Sequence, residues 1–435
     1  MARQSAVASI DSAVQASKQP EAQKGAEPAN NTGSVQFSSS VILFDVGDVT
    51  ATVRQNGRVA NWCALIANNI KQFGSDKINF VLTQYWMPTS NSTPFDIDYF
   101  CYKERGGGRC RKFTKEAIKR FEERMTECFA IAISQGFKTI MVTPHIDNAV
   151  DAYQWRNYAK LNPGLAQGGF SYWDIQLAPL AAAIHANLGK GAQRFLFNLG
   201  GELGTSFFGW SGKWLQFVGD ARQAALGKDK AKHAGELQVG LKVNFERVPG
   251  YASQLPGGVK RELAQQLFAA LDYVAISAYA PVPAKPDPSH FQDSVAIADG
   301  ELQQLGISLA GRDIWYGEFG IGGGTSQYCD RLAKTPAEAG FTPMYGTCWQ
   351  YNPAMNPWKS PAIRSYMQAY YAAALQWLQQ GAPGGKWRVK GVFAWNLVSW
   401  DVQGVHPLSY AGDGASFKDD KVSVMIAQHN KAASR

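Results

Sequence analysis

Two glutamates in this 435-residue chain are set apart by their neighbours. Residues 198–204 read NLGGELG, so Glu202 follows an apolar run and two glycines. Residues 316–320 read YGEFG, so Glu318 lies among aromatic rings with a glycine before it. Glycine lets a backbone turn sharply or approach another group closely, and a carboxylate is costly to bury without a partner or a task. A single strand-end glutamate is more often a salt-bridge or capping residue. Two in matching settings suggest divided labour, with one carboxyl holding a proton while the other attacks as an anion.

That chemistry needs elements that bring residues 202 and 318 together. From residue 35 onward, strand-like and helix-like segments alternate. Strand signals fall at 39–46, 78–86, 138–145, 194–199, 237–244, 272–279, 313–317 and 389–396. Helical signals fall between them at 58–73, 114–135, 173–188, 214–225, 259–270, 294–306 and 362–380. Eight strands over about 380 residues match the count and size of a large barrel. A doubly wound sheet would carry a Gly-rich phosphate loop after its first strand, and FDVGDVTATV is not one. Gly322 to Gly324 form a lone glycine run without the Lys-Ser/Thr of a phosphate loop. The expected fold is α/β, a single (β/α)8 TIM barrel over 35–435 behind a flexible segment, 1–34.

Working residues of such a barrel sit at the C-terminal ends of its strands. Those ends carry Asp45, Trp86, His145, Glu202, Asn244, Tyr279, Glu318, and Trp395 with Asn396. Alternation along the fourth strand puts Leu196, Asn198, Gly200 and Glu202 on one face. Carboxylates ending strands four and seven face each other across the mouth. That suits glycoside hydrolysis with retention, in which one carboxylic acid protonates the leaving oxygen and the other attacks the anomeric carbon.

NLGGELG and YGEFG resemble the catalytic segments of the clan A glycoside hydrolases, and VAISAYAP (274–281) and GVFAWNLVSWD (391–401) resemble that clan's sixth and eighth strands. The resemblance spans roughly residues 38–402. It implies a (β/α)8 retaining enzyme with Glu202 as acid/base, Glu318 as nucleophile, Tyr279 hydrogen-bonded to the nucleophile and Trp395 as floor of the sugar subsite. The chain departs from the clan at Gly201, where most members carry an Asn that holds the sugar 2-hydroxyl. Asn244 or His145 is then expected to make that contact, or the substrate lacks the usual 2-hydroxyl. The GGEL form is similar to families at the clan's edge, such as the family 113 mannanase-like proteins.

An acid/base role calls for an apolar wall beside Glu202, and Phe207, Phe208 and Trp210 are the candidates. His145 and Asp45 are candidate sugar-hydroxyl contacts. Trp86, Trp349, Trp358 and Trp400 are candidate stacking platforms, whose number favours endo action on a polymer; packing of long loops is the alternative use. A non-catalytic carbohydrate-binding barrel and a transglycosylase remain alternatives on the same residues.

Composition narrows the partners. The net charge is +8, but Lys and Arg are scattered, with no basic stripe for nucleic acid. No apolar run reaches the ~18 residues of a membrane span, and no Cys or His spacing suggests a metal or other cofactor. The expected partner is a poly- or oligosaccharide, bound by a monomer. Of six cysteines, Cys101 with Cys110 and Cys329 with Cys348 bracket irregular stretches and are expected disulfides, whereas Cys63 and Cys128 read as buried free thiols in helices. The disulfides, and an N-terminal segment without an apolar signal core, point to a mature periplasmic or secreted protein.

Overall fold

The computed structural model describes residues 33–43, 52–55, 58–103, 109–151, 154–321, 333–340, 357–395, 405 and 419–434. Asp45, Asn396, Trp349, Trp400, Cys329, Cys348 and Gly322 to Gly324 lie outside them. Eight parallel strands close on themselves: β1 (Phe37–Leu43), β2 (Lys77–Ser90), β3 (Thr139–Asn148), β4 (Arg194–Gly201), β5 (Leu237–Asn244), β6 (Tyr273–Ala278), β7 (Asp313–Phe319) and β8 (Trp387–Ala394). Each pairs with its sequence neighbours, and β1 pairs with both β2 and β8. The principal helices between and after them are α1 (Trp62–Lys71), α2 (Lys115–Ser134), α3 (Ala178–His185), α4 (Ser211–Leu226), α5 (Arg261–Ala270), α6 (Asp293–Gln303), α7 (Pro361–Gln379) and α8 (Asp420–Ala433). The molecule is a (β/α)8 barrel.

Strand alternation divides two apolar regions. Phe195, Phe197 and Leu199 of β4 face the helices and join the large outer core. Leu196, with Met141, Tyr273, Ala275, Trp315 and Phe393, fills the barrel interior. Above this plug runs a belt of buried polar groups. Tyr273 Oη donates to Asn198 Oδ1 (3.0 Å), Asn198 Nδ2 to Thr143 Oγ1 (2.9 Å), and Thr143 Oγ1 to Asn79 Oδ1 (2.9 Å). Asn79 Nδ2 and Ser40 Oγ then both donate to the carbonyl of Gly317, the residue before Glu318. Buried polar groups must be paired, and here the pairing ties six strands together just below the mouth.

Three local expectations need correction. Residues 58–61 do not belong to the first helix but pair, antiparallel, with Thr52–Gln55. The stretch after β2 is not irregular: Thr93–Tyr102 returns along β2 as a hairpin and pairs with Arg111–Lys112, and the Cys101–Cys110 disulfide spans the connection between those last two strands. Cys63 and Cys128 are not free thiols. They form a disulfide joining α1 to α2, with Cα atoms 5.5 Å apart.

Candidate active site

Both glutamates sit at a break in strand regularity. The β4–β5 ladder shifts register between Asn198 and Gly201, and the β6–β7 ladder skips Gly317, pairing Ser277 with Glu318. The shift changes the expected facing on β4. A side chain at Gly200 would meet Leu203 and Phe207 of the outer core, whereas one at Gly201 would meet the inner groups. Glu202 turns inward through a left-handed backbone, at φ 55°, and its N–H donates to the Lys242 carbonyl (2.8 Å). A residue other than glycine held there is strained, and such strain collects at functional sites.

Glu202 and Glu318 are both buried, at 1% and 3% exposure. Trp155 Nε1 and Arg156 Nη1 donate to Glu202 Oε2 at 3.0 and 2.8 Å. Arg156 also binds Asp147 at the end of β3, donating from Nε at 2.8 Å. Burial opposes the Arg156 charge, but Asp147, Glu202 and Glu318 together more than offset this and hold its proton more tightly than usual. Glu202 Oε1 is buried and has no hydrogen-bond partner among the described residues.

On the other side, Tyr279 Oη donates to Glu318 Oε2 at 2.7 Å, the contact implied by the resemblance. Burial, and the Glu318 carboxylate next, push the Tyr279 hydroxyl well above its ordinary range, so it keeps its proton and remains a donor. Glu318 Oε1 accepts from Lys242 Nζ, which also lies 2.8 Å from His145 Nε2; His145 Nε2 is 3.4 Å from the same carboxylate oxygen. His145 is wholly buried. Burial, with the Arg156 and Lys242 cations, holds its imidazole well below the usual range and therefore neutral. The Trp395 ring, half-buried just beyond β8, lies 5.9 Å from the His145 ring, with Lys242 Nζ 5.8 Å from its centroid.

The other candidates fall elsewhere. Asn244, at the end of β5, donates to the Glu246 carbonyl (3.0 Å), and its buried Oδ1 has no partner among the described residues. Trp86 is fully buried and donates to the Pro94 carbonyl (3.0 Å), so it packs the hairpin onto the barrel and offers no face to a sugar. Trp358 is likewise buried. Phe207, Phe208 and Trp210 do not form the expected apolar wall. Phe207 packs edge-on against Trp214, Phe208 stacks on Phe268, and Trp210 packs on the outer core between the short helix Gly204–Gly209 and α4. The groups facing Glu202 are instead the Trp155 indole and a guanidinium.

Trp155, Arg156 and Lys242 escaped the sequence reading. Trp155 and Arg156 reach the mouth because the turn Arg156–Tyr158 is pinned from below. Asn157 accepts from Gly204 N (2.8 Å) and Thr205 Oγ1 (2.7 Å) and donates to the Arg247 carbonyl (2.7 Å). A side chain at Gly204 would run into the Val248 carbonyl and Asn157. No sequence period marks such a loop. Lys242 did leave a signal: it shares the inward face of β5 with Asn244, two residues on, and alternates with the apolar Leu237, Val239, Leu241 and Val243.

Among the described residues, no group of three or more His, Cys, Asp or Glu could hold a metal, and no helix is long and apolar enough to cross a membrane. No protein-family model matches the chain, and no curated protein matches it. Solved structures do. A GH113 β-1,4-mannanase aligns over 92% of this chain and 100% of its own at 11% identity, with a TM-score of 0.47. A hyperthermophilic β-glucosidase from Pyrococcus furiosus aligns over 93% and 96% at 12% identity (TM-score 0.41). Cel5A (EG2) from Hypocrea jecorina (Trichoderma reesei) aligns over 90% and 98% at 13% identity (TM-score 0.41).

Proposed function

We propose that this chain is a retaining glycoside hydrolase acting on a β-linked poly- or oligosaccharide, with Glu318 as nucleophile and Glu202 as acid/base. The observation that carries the reading is that both buried glutamates meet Lys242: the Glu202 N–H donates to its carbonyl and Glu318 Oε1 accepts from its Nζ. One is oriented by a tyrosine hydroxyl, and the other keeps one carboxyl oxygen unpartnered. Glu318 attacks the anomeric carbon as the glycosidic C–O bond breaks, and the departing oxygen takes the proton held by Glu202. Water then attacks the same carbon, gives its proton to Glu202 and releases Glu318 as a carboxylate. Trp395 floors the subsite. The disulfides on the hairpin and between α1 and α2 support a periplasmic or secreted setting.

One observation favours a second reading, a barrel that binds carbohydrate without turning it over: both carboxylates are already matched by cations, Arg156 and Lys242. A screen of β-linked mannan, glucan and xylan for new reducing ends separates the two. Cleavage is expected, with the first product formed as the β-anomer, and Glu318→Gln should abolish it. Cleavage undiminished in that variant removes the nucleophile assignment, binding without cleavage favours the second reading, and only longer or rearranged chains would indicate a transglycosylase. Product lengths distinguish endo from exo action.

A further inference from the structure

The position of Lys242 accounts for the missing asparagine. A Cβ at Gly201 would come within 2.6 Å of His145 Nε2 and 2.8 Å of Lys242 Cε, and a Cβ at Gly317 would lie 3.0 Å from Lys242 Cδ. The glycines that precede Glu202 and Glu318 therefore flank one lysine side chain. Both are held where only hydrogen fits easily, and the volume a side chain at 201 would fill is taken by Lys242 and His145.

Lys242 is fully buried, and so is the histidine it touches. An ammonium has three donors; the described partners are Glu318 Oε1 and His145 Nε2. A neutral imidazole that accepts at Nε2 carries its proton at Nδ1. We propose that Lys242 is a positioning residue that fixes the Glu318 carboxylate by bridging it to His145, with Gly201 and Gly317 left bare to admit its side chain.

The two oxygens of Glu318 are then held separately, Oε1 by Lys242 and Oε2 by Tyr279, so the carboxylate has one orientation instead of several. Fixing a reacting group before reaction lowers the barrier without tightening substrate binding. The charged and titratable groups around His145 are Lys242 on β5, Glu318 on β7, Glu202 after β4, Asp147 at the end of β3 and Arg156 beyond it. Tyr279 after β6 faces Glu318 from the opposite side.

The kinetic part of this inference rests on the proposed function; the bridge does not, and the test separates them. In protein labelled with nitrogen-15 histidine, the His145 resonances are assigned by their loss in His145→Gln. In the wild type they should report a ring that is neutral and protonated at Nδ1 at neutral pH and that takes up a proton only below the ordinary histidine range. In Lys242→Met, which keeps the length of the side chain and removes the charge, the His145 titration should move up by one unit or more. On the substrate found by the screen, the same variant should lose about tenfold or more in kcat with KM changed less than about threefold. A His145 titration unchanged in Lys242→Met overturns the bridge, whether or not the chain cleaves a glycan. A moved titration with unchanged kcat overturns the positioning role. Should Glu318→Gln retain full activity, the proposed function fails while the bridge is still judged by the resonances. If Lys242→Met does not fold, Gly317→Ala crowds the same side chain and must shift the same resonances; no shift there overturns the bridge.

Discussion

A histidine with no contact to solvent, set between two cations, is an acid-sensitive element. Burial first, and then Arg156 and Lys242, keep the His145 pKa below its value of roughly 6.5 in an unfolded chain. The unfolded state therefore takes up the proton at a higher pH than the folded one. The stability associated with the neutral ring is complete above about pH 6.5 and declines as pH falls below it, by up to about 1.4 kcal/mol per pH unit. Denaturant midpoints measured from pH 8 to pH 5 should show this decline, and His145→Gln should remove that component of it. At this scale the sequence was informative only where a residue type and a strand end coincided, as at Glu202, Tyr279, Glu318 and Trp395. Lys242 was legible in principle, because a lysine on the inward face of a barrel strand must have a buried partner. Arg156 was not, because it is carried by a loop whose course is set by Asn157 and Gly204 rather than by any period.

The order and type of the elements could be read as far as β8, since the barrel strands are apolar runs between turn residues and the helices between them keep an apolar stripe, whereas α8 was not read. The strand-like and helix-like signals failed where pairing partners were decisive. Residues 58–61 and 93–102 form strands because of what lies beside them, and nothing in their own composition requires it. The last helix shows how an element can depend on one side chain. Asn430 of α8 accepts from Phe37 N (2.7 Å) and donates to the carbonyls of Phe37 (2.8 Å) and Phe73 (2.7 Å), so it ties α8 to the start of β1 and the end of the first helical segment. Asn430→Ala removes three buried hydrogen bonds to backbone groups. A loss of about 2–3 kcal/mol is expected in chemical denaturation, with the proposed active site, at the opposite end of β1, still assembled at low denaturant.

Across the whole molecule, closure of the sheet is what brings β4 and β7 opposite each other, and covalent links reinforce the outer ring. The Cys63–Cys128 disulfide spans 65 positions. On the chain-entropy account, a loop of that length contributes about 4 kcal/mol, mostly by restricting the unfolded chain. Replacing both cysteines by alanine should lower the denaturation midpoint and steepen the slope, since the freed unfolded chain exposes more surface, with the His145 resonances little changed. No sequence signal paired these two cysteines, since they lie in different helices and only the packing of α1 on α2 brings them together.

The seam between β8 and β1 has one more consequence. Gln36 Nε2 donates to Ser434 Oγ at 2.8 Å, and His429 Nε2 lies 2.8 Å from the Val35 carbonyl. Residues nearly four hundred positions apart thus meet on the side of the barrel away from the carboxylates. The order in which the eight units are strung is therefore separable from the ring they form. A chain joined from residue 434 to residue 36 by a short linker, and opened at the exposed turn 189–191, would traverse the same circle from a different starting point, with Glu202 then on its first strand and Glu318 on its fourth.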